Sequence, residues 1–144
     1  MRDRIFIDTN VLVHIANESS TFSAPLTNLL STYRNTYDLW ISRQVLREYA
    51  VVMSRPGILE TPLAPDALVP DIMKWQQLFF IADENEFTTL NLQTLILAHQ
   101  IKGKRIHDAN IVATMIAYDI PNLLTLNIAD FNKFEEIRLM EINL

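Results

Sequence analysis

The sequence contains no cysteine, which excludes disulfides, thiolate metal sites and cysteine nucleophiles together. No apolar run approaches the ~20 residues that a membrane-spanning helix requires. Asp3 and Arg4 stand ahead of only three large apolar residues, so the N-terminus lacks the h-region of a signal peptide. No repeat, low-complexity tract or linker divides the chain. The resulting expectations are cytoplasmic residence and a single domain over residues 1–144. A basic excess is missing too: 12 Lys and Arg against 17 Asp and Glu give a net charge of −5. Phosphate binding ordinarily favours a basic surface. A nest of acids that holds divalent cations can nevertheless make a protein acidic overall while its substrate face stays locally basic.

What is present is ordinary globular material. Apolar residues make up 49% of the chain and charged ones 20%, and 144 residues are enough for a sizeable core. The rest is organised around Arg4-Ile5-Phe6-Ile7-Asp8-Thr9-Asn10-Val11-Leu12-Val13. A short continuous apolar run of this kind reads as a buried strand of a parallel sheet. The polar triplet then marks the strand's end and suits the start of a helix. In open α/β sheets, ligands gather outside the carboxyl ends of the strands. Asp8 is therefore either a helix cap or a carboxylate aimed at a metal ion, with Thr9 and Asn10 as supporting donors. Only acids elsewhere in the chain can decide between the two.

Downstream, strands and helices alternate. Helical spacing covers Val11 to Ile15 and Ser23 to Tyr33, and Asp38-Leu39-Trp40-Ile41 reads as a second strand. Ser42 is a suitable N-cap for a helix that reaches Arg55 and stops at Pro56-Gly57. Ile58 to Pro70, with prolines at 62, 65 and 70, reads as a loop. A helix over Asp71 to Phe79, a strand over Phe79 to Ala82 and a helix over Phe87 to Ile101 closed by Gly103 follow. The last elements are a helix from His107 to Tyr118, a strand Leu123-Leu124-Thr125-Leu126 and an edge strand from Ile137 to Ile142. The alternation predicts a mainly parallel α/β sandwich.

Each acid in this pattern has a plain explanation when taken singly. Glu48 could be a solvated charge at the edge of an apolar stripe, and Asp108 could serve only the helix dipole. Together, Asp8 after a strand, Glu48 on a helix, Asp108 at a helix start and Asp130 after a later strand stand where a parallel sheet builds its sites. Hard oxygen ligands suit Mg²⁺ or Mn²⁺. Such ions polarise phosphoryl oxygens and activate water, in some sites as a pair ~4 Å apart.

These residues carry a family resemblance. Phe6-Ile7-Asp8-Thr9-Asn10-Val11-Leu12, Arg47-Glu48-Tyr49, His107-Asp108-Ala109-Asn110-Ile111-Val112-Ala113 and Thr125-Leu126-Asn127-Ile128-Ala129-Asp130-Phe131 resemble the motifs of PIN-domain ribonucleases. The particular likeness is to the VapC toxins of bacterial type II toxin–antitoxin modules. It spans essentially the whole chain. The resemblance implies a three-layer sandwich with a mainly parallel central sheet flanked by helices, commonly paired as a homodimer. It implies endonucleolytic cleavage of RNA that depends on one or two Mg²⁺ or Mn²⁺ ions, leaving a 5′-phosphate and a 3′-hydroxyl. It maps the acidic quartet of catalytic metal ligands onto Asp8, Glu48, Asp108 and Asp130, with Thr9 and Asn10 beside the first acid. Asn127 is the alternative to Asp130 as the fourth group. A VapB-type antitoxin is the implied partner.

Lys102, Lys104 and Arg105 precede Asp108 and could steer the RNA backbone, with Arg43 and Arg47 as additions; a solvated loop is the other explanation. His107 could donate to phosphate or serve packing, while His14 and His99 read as structural. A haloacid-dehalogenase-type phosphatase needs a second Asp where Asn10 stands. A receiver-like signalling domain needs an accepting Asp after a middle strand, which is missing. The remaining alternative is a catalytically silent PIN domain that binds RNA or protein.

Overall fold

Ile5, Phe6 and Ile7 are wholly buried in succession, which requires cover on both faces of their strand. The computed structural model, which describes residues 2–143, supplies that cover. Its strands are β1 (Arg4–Ile7), β2 (Asp38–Ser42), β3 (Phe80–Ala82), β4 (Asn122–Leu124) and β5 (Arg138–Leu139). They form one sheet in the order β3-β2-β1-β4-β5, with every neighbouring pair parallel. Helices α1 (Thr9–Ala16), α2 (Ser23–Arg34), α3 (Arg43–Ser54), α4 (Pro65–Leu78), α5 (Glu86–His99), α6 (Arg105–Ala117) and α7 (Ile128–Phe131) fill the connections. The mainly parallel α/β sandwich expected from the alternation is thus present, and the sheet is parallel throughout.

Strand β1 sits at the centre, with Phe6 opposite Trp40 on one side and Leu123 on the other. Burying a side chain of that size contributes roughly 2 kcal/mol. The chain runs outward from β1 to β2 and β3, then returns to place β4 on β1's other edge. The reversal opens a crevice beyond the carboxyl ends of β1 and β4, where a doubly wound sheet binds its ligands. Among the described residues, no helix is long and apolar enough to cross a membrane.

Three local expectations are corrected. The proline-bearing segment predicted as loop through Pro70 is helical from Pro65 onward. Pro65 occupies the first helical turn, where its missing N–H costs nothing. Pro70 lies inside the helix and leaves the carbonyl of Asp66 without its usual donor, but both residues are exposed and water reaches that turn. The second correction concerns the end of α5. Gln100, not Gly103, closes it in a left-handed conformation (φ 52°). The N–H of Ile101 then reaches back to the Ile96 carbonyl at 3.2 Å, and the Ile101 side chain turns into the core. Gly103 (φ 61°) instead supplies the turn into α6. At the chain's end, only Arg138 and Leu139 of the expected edge strand pair with β4.

Candidate active site

Asp8 follows β1 directly, and its backbone N–H extends the ladder by donating to the Leu124 carbonyl at 3.0 Å. Its side chain caps α1, accepting from Thr9 N at 2.8 Å. The two readings of Asp8 are therefore compatible, because a cap needs one carboxylate oxygen. The other oxygen, Oδ2, accepts from the Thr125 hydroxyl at 2.8 Å and from Asn10 Nδ2 at 3.1 Å. Thr125 Oγ1 in turn accepts from Asn127 N at 3.0 Å and Asn10 Nδ2 at 3.2 Å, while Asn10 Oδ1 accepts from Leu126 N. The ends of β1 and β4 are thus tied around one carboxylate, which is only 5% exposed.

Glu48 arrives from α3, whose start is fixed by Ser42 Oγ accepting from Val45 N. Its Oε1 accepts from the Thr9 hydroxyl at 3.2 Å. Asp108 stands in the first turn of α6, held there by Gln44 one turn before Glu48. Gln44 Nε2 donates to the His107 carbonyl at 2.8 Å, and Gln44 Oε1 accepts from Asn110 Nδ2 at 2.8 Å. Asp8, Thr9, Asn10, Glu48, Asp108 and Asn127 all line one cavity of about 310 Å³. Asp130, exposed in α7, is outside that lining, although its charge acts on both Asp8 and Asp108.

The carboxyls are held in an unfavourable electrostatic state. Burial drives the pKa of Asp8 up; the hydrogen bonds from Thr125, Thr9 and Asn10 oppose it, and the charge of Asp130 adds to it. Burial raises Glu48, followed by the charge of Asp8, against the hydrogen bond from Thr9. Asp108 is lifted to about 6 by burial, then by Asp130 and Asp8. A divalent cation would relieve this repulsion, and the donor set of carboxylate and amide oxygens is the hard one that Mg²⁺ or Mn²⁺ takes. Among the described residues, however, no three acid or imidazole groups already stand close enough together to hold an ion. Uncompensated carboxylates resist that convergence.

The basic residues divide. Arg47 and Lys104 line an adjoining groove together with Gln44, Val51 and His107, and Glu48, Val52 and Arg55 are shared between groove and acid cavity. Arg43 is instead engaged with Asp83 at 2.7 Å. Arg105 lies near Asp108 and Lys133, whereas Lys102 is exposed and lines neither groove nor cavity. His99 pairs with Glu136 at 3.1 Å, and His14 lines the acid cavity. Thr125, Gln44, Arg55 and Lys133 were not singled out by the sequence. For Thr125 a signal existed: a hydroxyl closing the apolar run Leu123-Leu124, as Thr9 follows β1.

A model of the PIN-domain family matches residues 5–137. Ribonuclease VapC48 of Mycobacterium tuberculosis (strain CDC 1551 / Oshkosh) is 28% identical over 140 residues, spanning 93% of this chain and 94% of the relative. Among solved structures, VapBC2 from Rickettsia felis, bound to a DNA fragment from its promoter, aligns with a TM-score of 0.72 and 20% identity. That alignment covers 95% of this chain and 97% of the other. VapC20 (Rv2549c) of M. tuberculosis, a sarcin-ricin-loop-cleaving toxin, aligns with a TM-score of 0.66 and 17% identity over 93% and 98% of the two chains. At these identities the structural likeness establishes the fold.

Proposed function

The chain belongs to the PIN-domain family, and from that premise we propose that it is a metal-dependent endoribonuclease, the toxin of a toxin–antitoxin pair. The observation that carries this reading is the cavity at the sheet's reversal point, where the buried Asp8 carboxylate shares a wall with Glu48 and Asp108. The ribonuclease name of the similar M. tuberculosis protein supports RNA as substrate.

In this reading Asp8, Glu48, Asp108 and Asp130 would hold the metal, and Asn127, which lines the cavity, would replace or assist Asp130. A bound Mg²⁺ or Mn²⁺ supplies polarisation of a phosphoryl oxygen and activation of water. Thr125, Thr9 and Asn10 orient Asp8 and favour its ionised form against the upward push of burial, because each of their hydrogen bonds stabilises the charged carboxylate. Thr9 also fixes Glu48. Gln44 sets α6 against α3 and so places Asp108 relative to Glu48. Arg47 and Lys104 attract the RNA backbone along the adjoining groove, with Arg105 contributing beside Asp108. Arg43 serves the Asp83 pair first. The VapBC2 likeness supports a VapB-type antitoxin as partner, and a second copy of the chain is the other expected partner.

The test is cleavage of a mixed, end-labelled RNA pool with and without Mn²⁺, comparing the native chain with Asp8→Asn. Metal-dependent cutting that disappears in the variant is expected. An inert native protein, or a variant that cuts equally well, would leave a PIN domain that binds without cleaving.

A further inference from the structure

The acid cavity is lined by apolar side chains as well as by carboxylates. Val13 and Ile111 are buried in its wall, Val52 is partly buried, and Ile58 leans in from the loop after α3. Two side chains with unpartnered nitrogens line the same cavity. Arg55 ends α3, is exposed, and its guanidinium has no hydrogen-bond or ion-pair partner among the described residues. His14 on α1 lies 2.7 Å through Nδ1 from Ser20 Oγ, and its ring meets the edge of Phe22 at 5.3 Å. Ser20 Oγ also accepts from Phe22 N at 3.1 Å. The other ring nitrogen of His14, Nε2, has no partner among the described residues.

Carboxylates and apolar side chains lining one cavity, with an unpartnered guanidinium and an unpartnered imidazole nitrogen among them, match a nucleotide rather than a bare phosphate. Sequence-selective recognition of RNA works on unpaired bases, which lie against apolar or guanidinium surfaces and are read along their edges. Arginine's fork meets paired acceptors best, and guanine offers them at O6 and N7. Building on the ribonuclease reading, we propose that the apolar lining of this cavity forms a base pocket that holds an unpaired guanine next to the phosphate to be cut. Arg55 reads the acceptor edge, and His14 Nε2 adds a polar contact. The pocket would then select the cleavage site while the acids perform the cleavage.

Arg55→Lys is the discriminating variant. It keeps the positive charge that attracts the RNA backbone and loses the fork that reads the base. The residue is exposed, so the fold does not depend on it. Two measurements decide the matter. The first is the sequence profile at cut ends from a randomised single-stranded RNA pool. The native protein should enrich guanine at one position flanking the cut, and Arg55→Lys should flatten that enrichment by about 10-fold. The second is metal-free binding of a short single-stranded RNA bearing one guanine, compared with the same strand made abasic there. The native protein should bind the intact strand about 10-fold more tightly, and Arg55→Lys should bind the two alike.

A native profile without base preference, or an Arg55→Lys profile that matches it, overturns the pocket. Equal native binding of intact and abasic strands does so as well. If the native protein binds as expected and never cuts, the ribonuclease reading fails while the base pocket stands.

Discussion

Thr125→Val isolates the hydrogen-bonding part of the site, because valine keeps the shape of threonine and removes its hydroxyl. Thr125 is fully buried, and its hydroxyl donates to Asp8 Oδ2 at 2.8 Å while accepting from Asn127 N and Asn10 Nδ2. The two donors that lose their acceptor are cared for elsewhere. Asn127 is exposed to water, and Asn10 Nδ2 still reaches Asp8 Oδ2 at 3.1 Å. The loss therefore falls on the Asp8 carboxylate. A hydrogen bond to a charged group contributes about 2 kcal/mol. Part of that favours the ionised over the protonated acid, and about 1.4 kcal/mol corresponds to one pKa unit. Burial already raises Asp8, with the Thr125 bond first among the forces opposing it. Its removal should raise the pKa further, so that less ionised Asp8 is available at any acidic pH.

The assay is the pH profile of RNA cleavage at saturating Mn²⁺. The acid limb for Thr125→Val should move about one pH unit toward alkaline, a loss near 10-fold on that limb that fades as pH rises. Thr125→Ser, which restores the hydroxyl, should return the limb toward its native position. A uniform drop at every pH, or an acid limb superimposed on the native one, would refute the argument and leave Thr125 as packing alone.

Asp108→Asn should stabilise the fold at alkaline pH and not at acidic pH. The folded-state pKa of Asp108 is raised from 3.8 to about 6, so its contribution to stability is present below the ordinary value and is lost as pH rises through about 6. With screening by water at this partly exposed site, the expected gain at pH ~8 is about 1 kcal/mol by urea unfolding; an equal gain at pH ~4 would contradict the electrostatic cause. Gln44→Leu removes the brace between α3 and the start of α6. It should lower kcat about 10- to 100-fold with little change in KM, while an unchanged kcat in a destabilised protein would show that the brace serves only the fold.

Much of the fold is legible locally. Ile5-Phe6-Ile7 is apolar without alternation because both faces of β1 are covered, and Ser42 ahead of Val45 announces α3 by a cap that acts over a few residues. The helix beginning at Pro65 was not legible. A proline-rich stretch reads as loop until one knows that Pro65 falls in the first turn and that Pro70's orphaned acceptor faces water. The end of α5 was not legible for a similar reason. Gly103 is the usual helix stop, but the burial of Ile101 in the core sets the reversal at Gln100.

By itself, the sequence determined the order of elements, the placement of Asp8, Asp108 and Asp130 at element ends and of Glu48 on a helix, and the family resemblance those motifs carry. These depend on periodicity, caps and strand ends, whose causes lie within a few residues of one another. The tertiary structure decided which groups meet. The β1–β4 pairing brings Thr125 onto Asp8 across 117 positions, and the approach of α3 to the first turn of α6 brings Gln44 to His107 across 63. It also left Asp130 outside the cavity lining and placed Arg55 and His14 within it. A carboxylate's ionisation depends on burial and on every charge and donor around it, and those neighbours were gathered by the return of the chain to the other edge of β1.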